Sequence, residues 1–211
     1  MELETVGDEF PGFLYRRQPR NVYWETTISC DLACQHCRAS AIPHRDPEEL
    51  TTEQGKALMR SVQRLGSMLV LTGGDPLKRP DVAELVEYGR SLPIHVSITP
   101  STTPLLTEAT VARFKELGVS AMGVSLDGPT AELHDAFRNV PGTFQHSMHA
   151  LEWAREHRIP VQVNTTITAQ TLPHVPAMYE LLRTRAAPPV RRWSLFLLVP
   201  VGRGSELHTP S

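Results

Sequence analysis

Outside one stretch of eight residues the sequence contains no cysteine, and that stretch holds only three. An odd, tightly clustered set without a secretory signal excludes a disulfide framework and points to a reducing compartment. The opening residues, Met1-Glu2-Leu3-Glu4-Thr5, lack the basic-then-apolar order of such a signal. No apolar run approaches the ~18 residues of a membrane span. The expectation is a cytoplasmic protein with no membrane partner. An excess of charge is missing too: 21 basic and 23 acidic residues leave a formal net charge of -2. That balance supplies no electrostatic footprint for nucleic acid, so a small-molecule or protein substrate is expected. The remaining composition, 40% apolar and 21% charged over 211 residues, is that of one ordinary domain with a core.

What is present is a repeating pattern. Residues 1–20 carry Gly7, Pro11, Gly12 and Pro19 without sustained periodicity and read as a partly disordered leader, leaving 21–211 as the domain. Asn21 to Ile28 is rich in β-branched and aromatic residues and reads as a strand. After a loop from Ala39 to Glu49, Thr51-Thr52-Glu53-Gln54 has the spacing of a capping box that opens a helix. Met68 to Thr72 is a nearly continuous apolar strand, the pattern of strands buried on both faces in parallel sheets. Strands follow at Ile94–Thr99, Val119–Leu126, Val161–Thr168 and Trp193–Val199. Helices are expected after Asp81, over Thr107–Leu117, over Thr143–His157 and over Pro173–Arg183, with a loop between Leu126 and Thr143. Six strands alternating with five helices imply an α/β domain with a parallel sheet. Doubly wound sheets and barrels share this alternation, so the pattern does not choose between them. In both, function gathers at the C-terminal ends of the strands. The cysteines, Gly73-Gly74-Asp75-Pro76, Pro100-Ser101, Ser125-Leu126-Asp127-Gly128 and Pro200-Val201-Gly202 all fall at such ends.

The cysteine stretch is Cys30-Asp31-Leu32-Ala33-Cys34-Gln35-His36-Cys37. Three readings compete for it. Buried small hydrophobes suit a lone cysteine better than three together. A structural zinc would take three thiolates with His36 or His44, although zinc sites more often pair two short knuckles. An iron-sulfur cube held by three thiolates would leave one of its irons without a protein ligand. Other side chains have ordinary readings: Arg183, Arg185, Arg191 and Arg192 as a solvated edge, His146, His149 and His157 as packing or surface positions on a helix, Trp153 and Trp193 as core.

Taken with its surroundings, the stretch carries a resemblance. Cys30-x-x-x-Cys34-x-x-Cys37 after a first strand, joined to Gly73-Gly74-Asp75-Pro76-Leu77 after the second, resembles the radical S-adenosylmethionine (radical SAM) superfamily. Four further segments resemble more narrowly the branch that usually carries a C-terminal auxiliary-cluster (SPASM) domain. They are Trp24-Glu25-x-Thr27, Cys34-x-His36-Cys37-Arg38-Ala39, Ser125-Leu126-Asp127-Gly128 with His134-Asp135-x-x-Arg138, and Val199-Pro200-Val201-Gly202-Arg203-Gly204. That branch includes peptide-modifying and haem-pathway enzymes. The resemblance runs from about Val22 to Gly204. With no cysteine between Cys37 and Ser211, it implies that the SPASM domain is absent, in a fragment of a longer protein or in a short relative with one cluster.

The resemblance implies an incomplete (β/α)6, TIM-like partial barrel with a 4Fe-4S cluster on Cys30, Cys34 and Cys37. S-adenosylmethionine (SAM) would chelate the open iron through its amine and carboxylate. An electron from a small flavodoxin- or ferredoxin-type donor would then cleave it to a 5'-deoxyadenosyl radical that abstracts hydrogen from a peptide or tetrapyrrole. Gly73 and Gly74, followed by Asp75 and Pro76, would let the backbone approach SAM, with their carbonyls accepting from its ammonium. Asp75 stands where the family more often has Glu, and its shorter carboxylate suits holding the loop. Ser101 is expected at the ribose hydroxyls, Ser125 and Arg138 at the SAM carboxylate, and His36 beside the adenine or as a donor to the cluster. The rival is a truncated or non-catalytic binding module with zinc or a cluster in a structural role.

Overall fold

The computed structural model describes residues 19–186 and 188–210. Apart from Pro19 and Arg20, the leader expected over 1–20 lies outside the described residues. The elements run β1 Asn21–Glu25, α1 Thr52–Leu65, β2 Met68–Thr72, α2 Val82–Ser91, β3 Val96–Ile98, α3 Glu108–Glu116, β4 Met122–Ser125, α4 Ala131–Arg138, α5 Thr143–Glu156, β5 Val161–Ile167, α6 Val175–Leu181 and β6 Val190–Leu197. Helix α1 begins where the capping box predicts: the Thr51 hydroxyl accepts from the Gln54 amide, and the Gln54 side chain accepts from the Thr51 amide. It stops at Gly66, whose left-handed backbone (φ 64°) turns the chain into β2.

All six strands are parallel, and their order across the sheet is β1-β2-β3-β4-β5-β6. This order decides what the alternation left open. A doubly wound sheet reverses its strand order at a switch point and places helices on both faces. A strictly sequential order with right-handed crossovers keeps every helix on one side, and the accumulated strand twist curls the sheet toward a barrel. Among the described residues β1 and β6 do not pair, so the barrel stays open along one side. The domain is therefore the partial barrel expected from the resemblance.

The core lies between the convex face of the sheet and the helices. Leu69, Leu71, Val96, Ile98, Met122, Val124, Val161 and Val163 pack against Met59, Val62, Leu85, Val111, Phe114, Leu151 and Met178. Strand β5 shows the two faces plainly. Val161, Val163, Thr165 and Ile167 are buried, while Gln162, Asn164 and Thr166 between them are half-buried. Strand β2 corrects the expectation of burial on both faces. Leu69 and Leu71 are buried, but Met68 is exposed and Val70 and Thr72 are half-buried, because helices cover only one side and the concave side is a lumen.

A second correction is α4, which stands where the sequence predicts a loop. Thr130 precedes it, and Asn139 ends it in a left-handed conformation (φ 56°) with its amide on the Asp135 carbonyl. Eight residues are too few to display a sustained helical period. No helix of the described residues is long and apolar enough to cross a membrane.

Candidate active site

The site begins with the loop after β1. Its base is tied by the Cys30 amide donating to the Ile42 carbonyl (2.8 Å) and the Ile42 amide donating to the Ile28 carbonyl (3.3 Å). The intervening residues therefore form a closed loop carrying all three cysteines, which are free thiols. Cys30 and Cys34 are buried and Cys37 is half-buried. Each sulfur has a donor. The Leu32 amide lies 3.4 Å from Cys30 Sγ, the Ala41 amide 3.4 Å from Cys37 Sγ, and Arg138 Nη1 3.7 Å from Cys34 Sγ. Burial nevertheless pushes the Cys30 thiol up, against the pull of its hydrogen bonds, so a metal that binds here displaces a proton.

Next to the loop stands the β2 terminus. Gly73 has φ 142°, and a Cβ there would sit 2.4 Å from the Thr27 carbonyl oxygen. A Cβ on Gly74 would sit 2.4 Å from the Ser29 carbonyl oxygen. The glycine pair is thus required by the chain itself: it lets the end of β2 lie backbone to backbone against the segment leading into Cys30. The Gly74 amide donates to the Thr27 carbonyl and the Asp75 amide to the Ser29 carbonyl, both at 2.7 Å. Asp75 is fully buried and accepts from the amides of Leu77 (3.1 Å) and Ser101 (3.2 Å) and from the Thr103 hydroxyl (2.9 Å). Burial holds its carboxyl above the usual range despite these donors. It acts as a brace between the ends of β2 and β3. The Ser101 hydroxyl donates to the Gly74 carbonyl at 2.8 Å and lies 3.4 Å from Cys30 Sγ.

The third wall comes from β4 and α4. Arg138 Nε donates to Asp127 Oδ2 at 2.7 Å, and Nη2 reaches the same oxygen. Asp127 Oδ1 accepts from the Thr166 amide of β5 at 2.7 Å, and the Asp127 amide donates to His134 Nδ1 at 3.0 Å. That last bond makes His134 Nδ1 an acceptor, so the neutral ring carries its proton on Nε2. Burial and then the neighbouring Arg138 lower the His134 pKa to about 4. Arg138 thus brings a buried positive charge to Cys34, with Asp127 as its counterion. The end of α4 also supports the cysteine loop directly. The Gln35 amide donates to the Phe137 carbonyl (3.1 Å), and the Phe137 ring stacks on His36 at 4.5 Å between centroids and 8° between planes.

These walls enclose a cavity of about 360 Å³ lined by Cys30, Cys34, Cys37, His36, Gly73, Gly74, Ser101 and Arg138, with Thr166 and residues of the β6 terminus opposite. Pockets for small ligands have volumes of roughly 300–1,000 Å³. Asp75, Pro76 and Ser125 do not line it. Asp75 and Pro76 are buried behind it, and the Ser125 carbonyl accepts from Ser147. Sequence reasoning assigned no role to Asp127, His134, Thr166 or Arg203. Asp127, His134 and Arg203 lie inside motifs that carried the resemblance, which was the only available signal. Thr166, a strand residue, had none.

Two buried polar atoms at the mouth, His36 Nδ1 and Arg203 Nη2, have no partner among the described residues. An unpaired buried polar group costs about 1–3 kcal/mol. Three thiols with two unpaired polar atoms beside them fit a sulfur-rich, polar group such as an iron-sulfur cluster. Among the described residues no three Cys, His, Asp or Glu side chains converge on a single ion. A cube takes one thiolate per iron and does not require that convergence.

A parallel half-barrel with three thiols at its C-terminal mouth defines a scaffold suited to a thiolate-held group. The chain belongs to the radical SAM superfamily, whose family description matches residues 24–182. It is 40% identical over 189 residues to an AdoMet-dependent heme synthase of Oleidesulfovibrio alaskensis, covering 89% of this chain and 48% of that protein. It is 33% identical over 187 residues to the mycofactocin maturase MftC of Mycobacterium tuberculosis, covering 87% of this chain and 46% of the other. The chain thus spans about half the length of the curated relatives it matches. Among solved structures, Streptococcus suis SuiB bound to S-adenosylmethionine shares the fold with a TM-score of 0.78 at 16% identity, over 92% of this chain and 44% of that one. The family implies a 4Fe-4S cluster and SAM.

Proposed function

We propose that this chain is the catalytic core of a radical SAM enzyme acting on a tetrapyrrole, with its cluster on Cys30, Cys34 and Cys37. The observation that carries the chemistry is the tied loop that brings three donor-assisted cysteines to the mouth of the half-barrel. Identity of 40% to a protein named a heme synthase, against 33% to one named a mycofactocin maturase, favours the tetrapyrrole. When bound, the cluster and SAM would supply one-electron reduction and a carbon-centred radical able to take a hydrogen atom from the substrate.

The chain's own residues supply position and electrostatics. Cys30, Cys34 and Cys37 would hold the cluster, and three thiolates for four irons would leave one iron open to SAM. Arg138 keeps a positive charge beside Cys34, which would offset the negative charge of a thiolate-held cluster. Asp75 fixes the ends of β2 and β3, so Gly74 and Ser101 meet the cavity as one wall. The stacked His36 and Phe137 rings shield one side of the loop from water. A small flavodoxin- or ferredoxin-type protein is the electron donor, and the reducing cytoplasm is the compartment that suits such a thiolate site.

Anaerobic reconstitution with iron and sulfide tests this reading. The wild-type chain takes up about four irons and four sulfides, cleaves SAM to 5'-deoxyadenosine on reduction, and loses both properties in Cys34→Ala. Uptake of about one tightly held zinc and no iron overturns it in favour of a structural module. Hydrogen transfer from a labelled precursor peptide, with none from an iron porphyrin, moves the substrate to the peptide class.

A further inference from the structure

The open side of the barrel is bridged by something other than a strand. After β6 the chain crosses to the cysteine loop and is fastened there by one residue. The Arg203 amide donates to the Cys37 carbonyl at 3.0 Å, Nε donates to the Cys34 carbonyl at 2.9 Å, and Nη1 donates to the Ala41 carbonyl at 2.8 Å. Gly202 makes the approach possible. Its φ is 57°, and a Cβ there would lie 2.3 Å from the Arg38 carbonyl oxygen. A rigid guanidinium fork is suited to spanning two fixed acceptors, whereas a lysine serves one point at a time. The third nitrogen, Nη2, is buried and has no partner among the described residues, although Arg203 lines the cavity that holds the three thiols. The clasp uses Nε and Nη1 and leaves Nη2 as a charged donor that still needs an acceptor.

Resting on the cluster reading above, we propose that Arg203 is a latch: it locks the β6 terminus onto the cysteine loop, and Nη2 donates a hydrogen bond to a sulfur of the bound cluster. The two roles have separate signatures. The latch holds the cysteines in binding geometry and governs how slowly iron is lost. The donor at sulfur raises the reduction potential, because hydrogen bonds to the sulfurs are among the determinants of cluster potential.

The test uses the full chain reconstituted anaerobically without SAM, as wild type, Arg203→Ala, Arg203→Lys and Gly202→Ala. Iron release to a chelator is expected to be about tenfold or more faster in Arg203→Ala, as two charge-assisted hydrogen bonds are lost. Arg203→Lys, with one charged nitrogen in place of a three-nitrogen fork, is expected between it and wild type. Gly202→Ala, which pushes the crossing chain off the loop, is also expected to release iron faster. An EPR-monitored redox titration is expected to place the Arg203→Ala midpoint below wild type. Melting of the metal-free chain checks folding, and Arg203→Lys carries the comparison if the alanine variant does not fold. Iron release at the wild-type rate in the arginine variants, or faster release with an unchanged midpoint potential, overturns the assignment. A wild-type chain that forms no cluster overturns the proposed function and this inference with it, so the two failures are distinguishable.

Discussion

Replacing Asp127 by Asn is the sharpest test of how the site is held together. Asp127 is 2% exposed and is the ion-pair partner of the buried Arg138. Asn keeps the shape but removes the charge, leaving a guanidinium buried without a counterion. It also forces a conflict. Oδ1 must remain an oxygen to accept from Thr166, which turns the amide NH2 toward the Arg138 donors. Breaking one side of a buried pair costs about 3–5 kcal/mol, a large part of a typical stability of about 5–15 kcal/mol. Urea unfolding of the metal-free chain, at a slope of about 2–3 kcal/mol per molar, would show the midpoint falling by about 1–2 M. The double variant Asp127→Leu with Arg138→Met is expected to recover most of the loss, since an apolar pair leaves no charge stranded. Acid titration gives a second reading. Burial alone would raise the Asp127 pKa, but Arg138 and the neighbouring histidines outweigh burial and hold it below the usual carboxylate range. The contribution is therefore complete above the unfolded value of about 3.9 and fades as pH falls below it. A loss under about 1 kcal/mol in the single variant, the size found for exposed pairs, would refute the buried-pair argument.

Acid should weaken the fold earlier through His134. Its pKa is lowered from 6.5 to about 4, so the unfolded chain binds the extra proton, and the His134 contribution of about 3 kcal/mol is lost as pH drops from about 6.5 to about 4, where His36, lowered to the same value, adds its own loss. His134→Gln flattens that slope in pH-dependent urea melts; an unchanged slope shows the ring is not buried neutral. Gly74→Ala is expected to cost about 1–3 kcal/mol, because its Cβ meets the Ser29 carbonyl oxygen at 2.4 Å. Circular dichroism melts measure it, and a neutral outcome would mean the β2 terminus does not pack against the cysteine segment. Met59→Ala, at a fully buried position in the core, should cost about 2–5 kcal/mol without changing iron uptake by the reconstituted chain. Iron uptake lost in proportion to stability would tie the cluster loop to the core more tightly than its contacts indicate.

Where a feature depended on neighbours in the chain, it was legible. The capping box at Thr51, the glycine stop at Gly66 and the alternation of strands and helices all read correctly because they repeat over a few residues. Where a feature depended on distant pairing, it was not. Gly73 and Gly74 line the cavity as expected, but the need for glycine there comes from Thr27 and Ser29, whose carbonyl oxygens a Cβ would meet at 2.4 Å. Arg138 looked like a free fork for a carboxylate, yet its Nε and Nη2 meet Asp127. Helix α4, too short to show its period, was missed, and its end supports the cysteine loop through the Phe137 carbonyl and ring.

The sequence by itself determined the chemistry on offer and the class of fold. Three cysteines in eight residues, a Gly-Gly-acidic-Pro turn after the next strand, and six strand-type segments alternating with helical ones are local facts that no packing can alter. Tertiary structure decided that the sheet runs in sequential order and curls, that the open edge is spanned by Arg203, and that the charge beside Cys34 is a buried arginine balanced by Asp127. Strand order and ion-pair choice join residues far apart in the chain, and their energies depend on burial and distance, which local spacing does not encode.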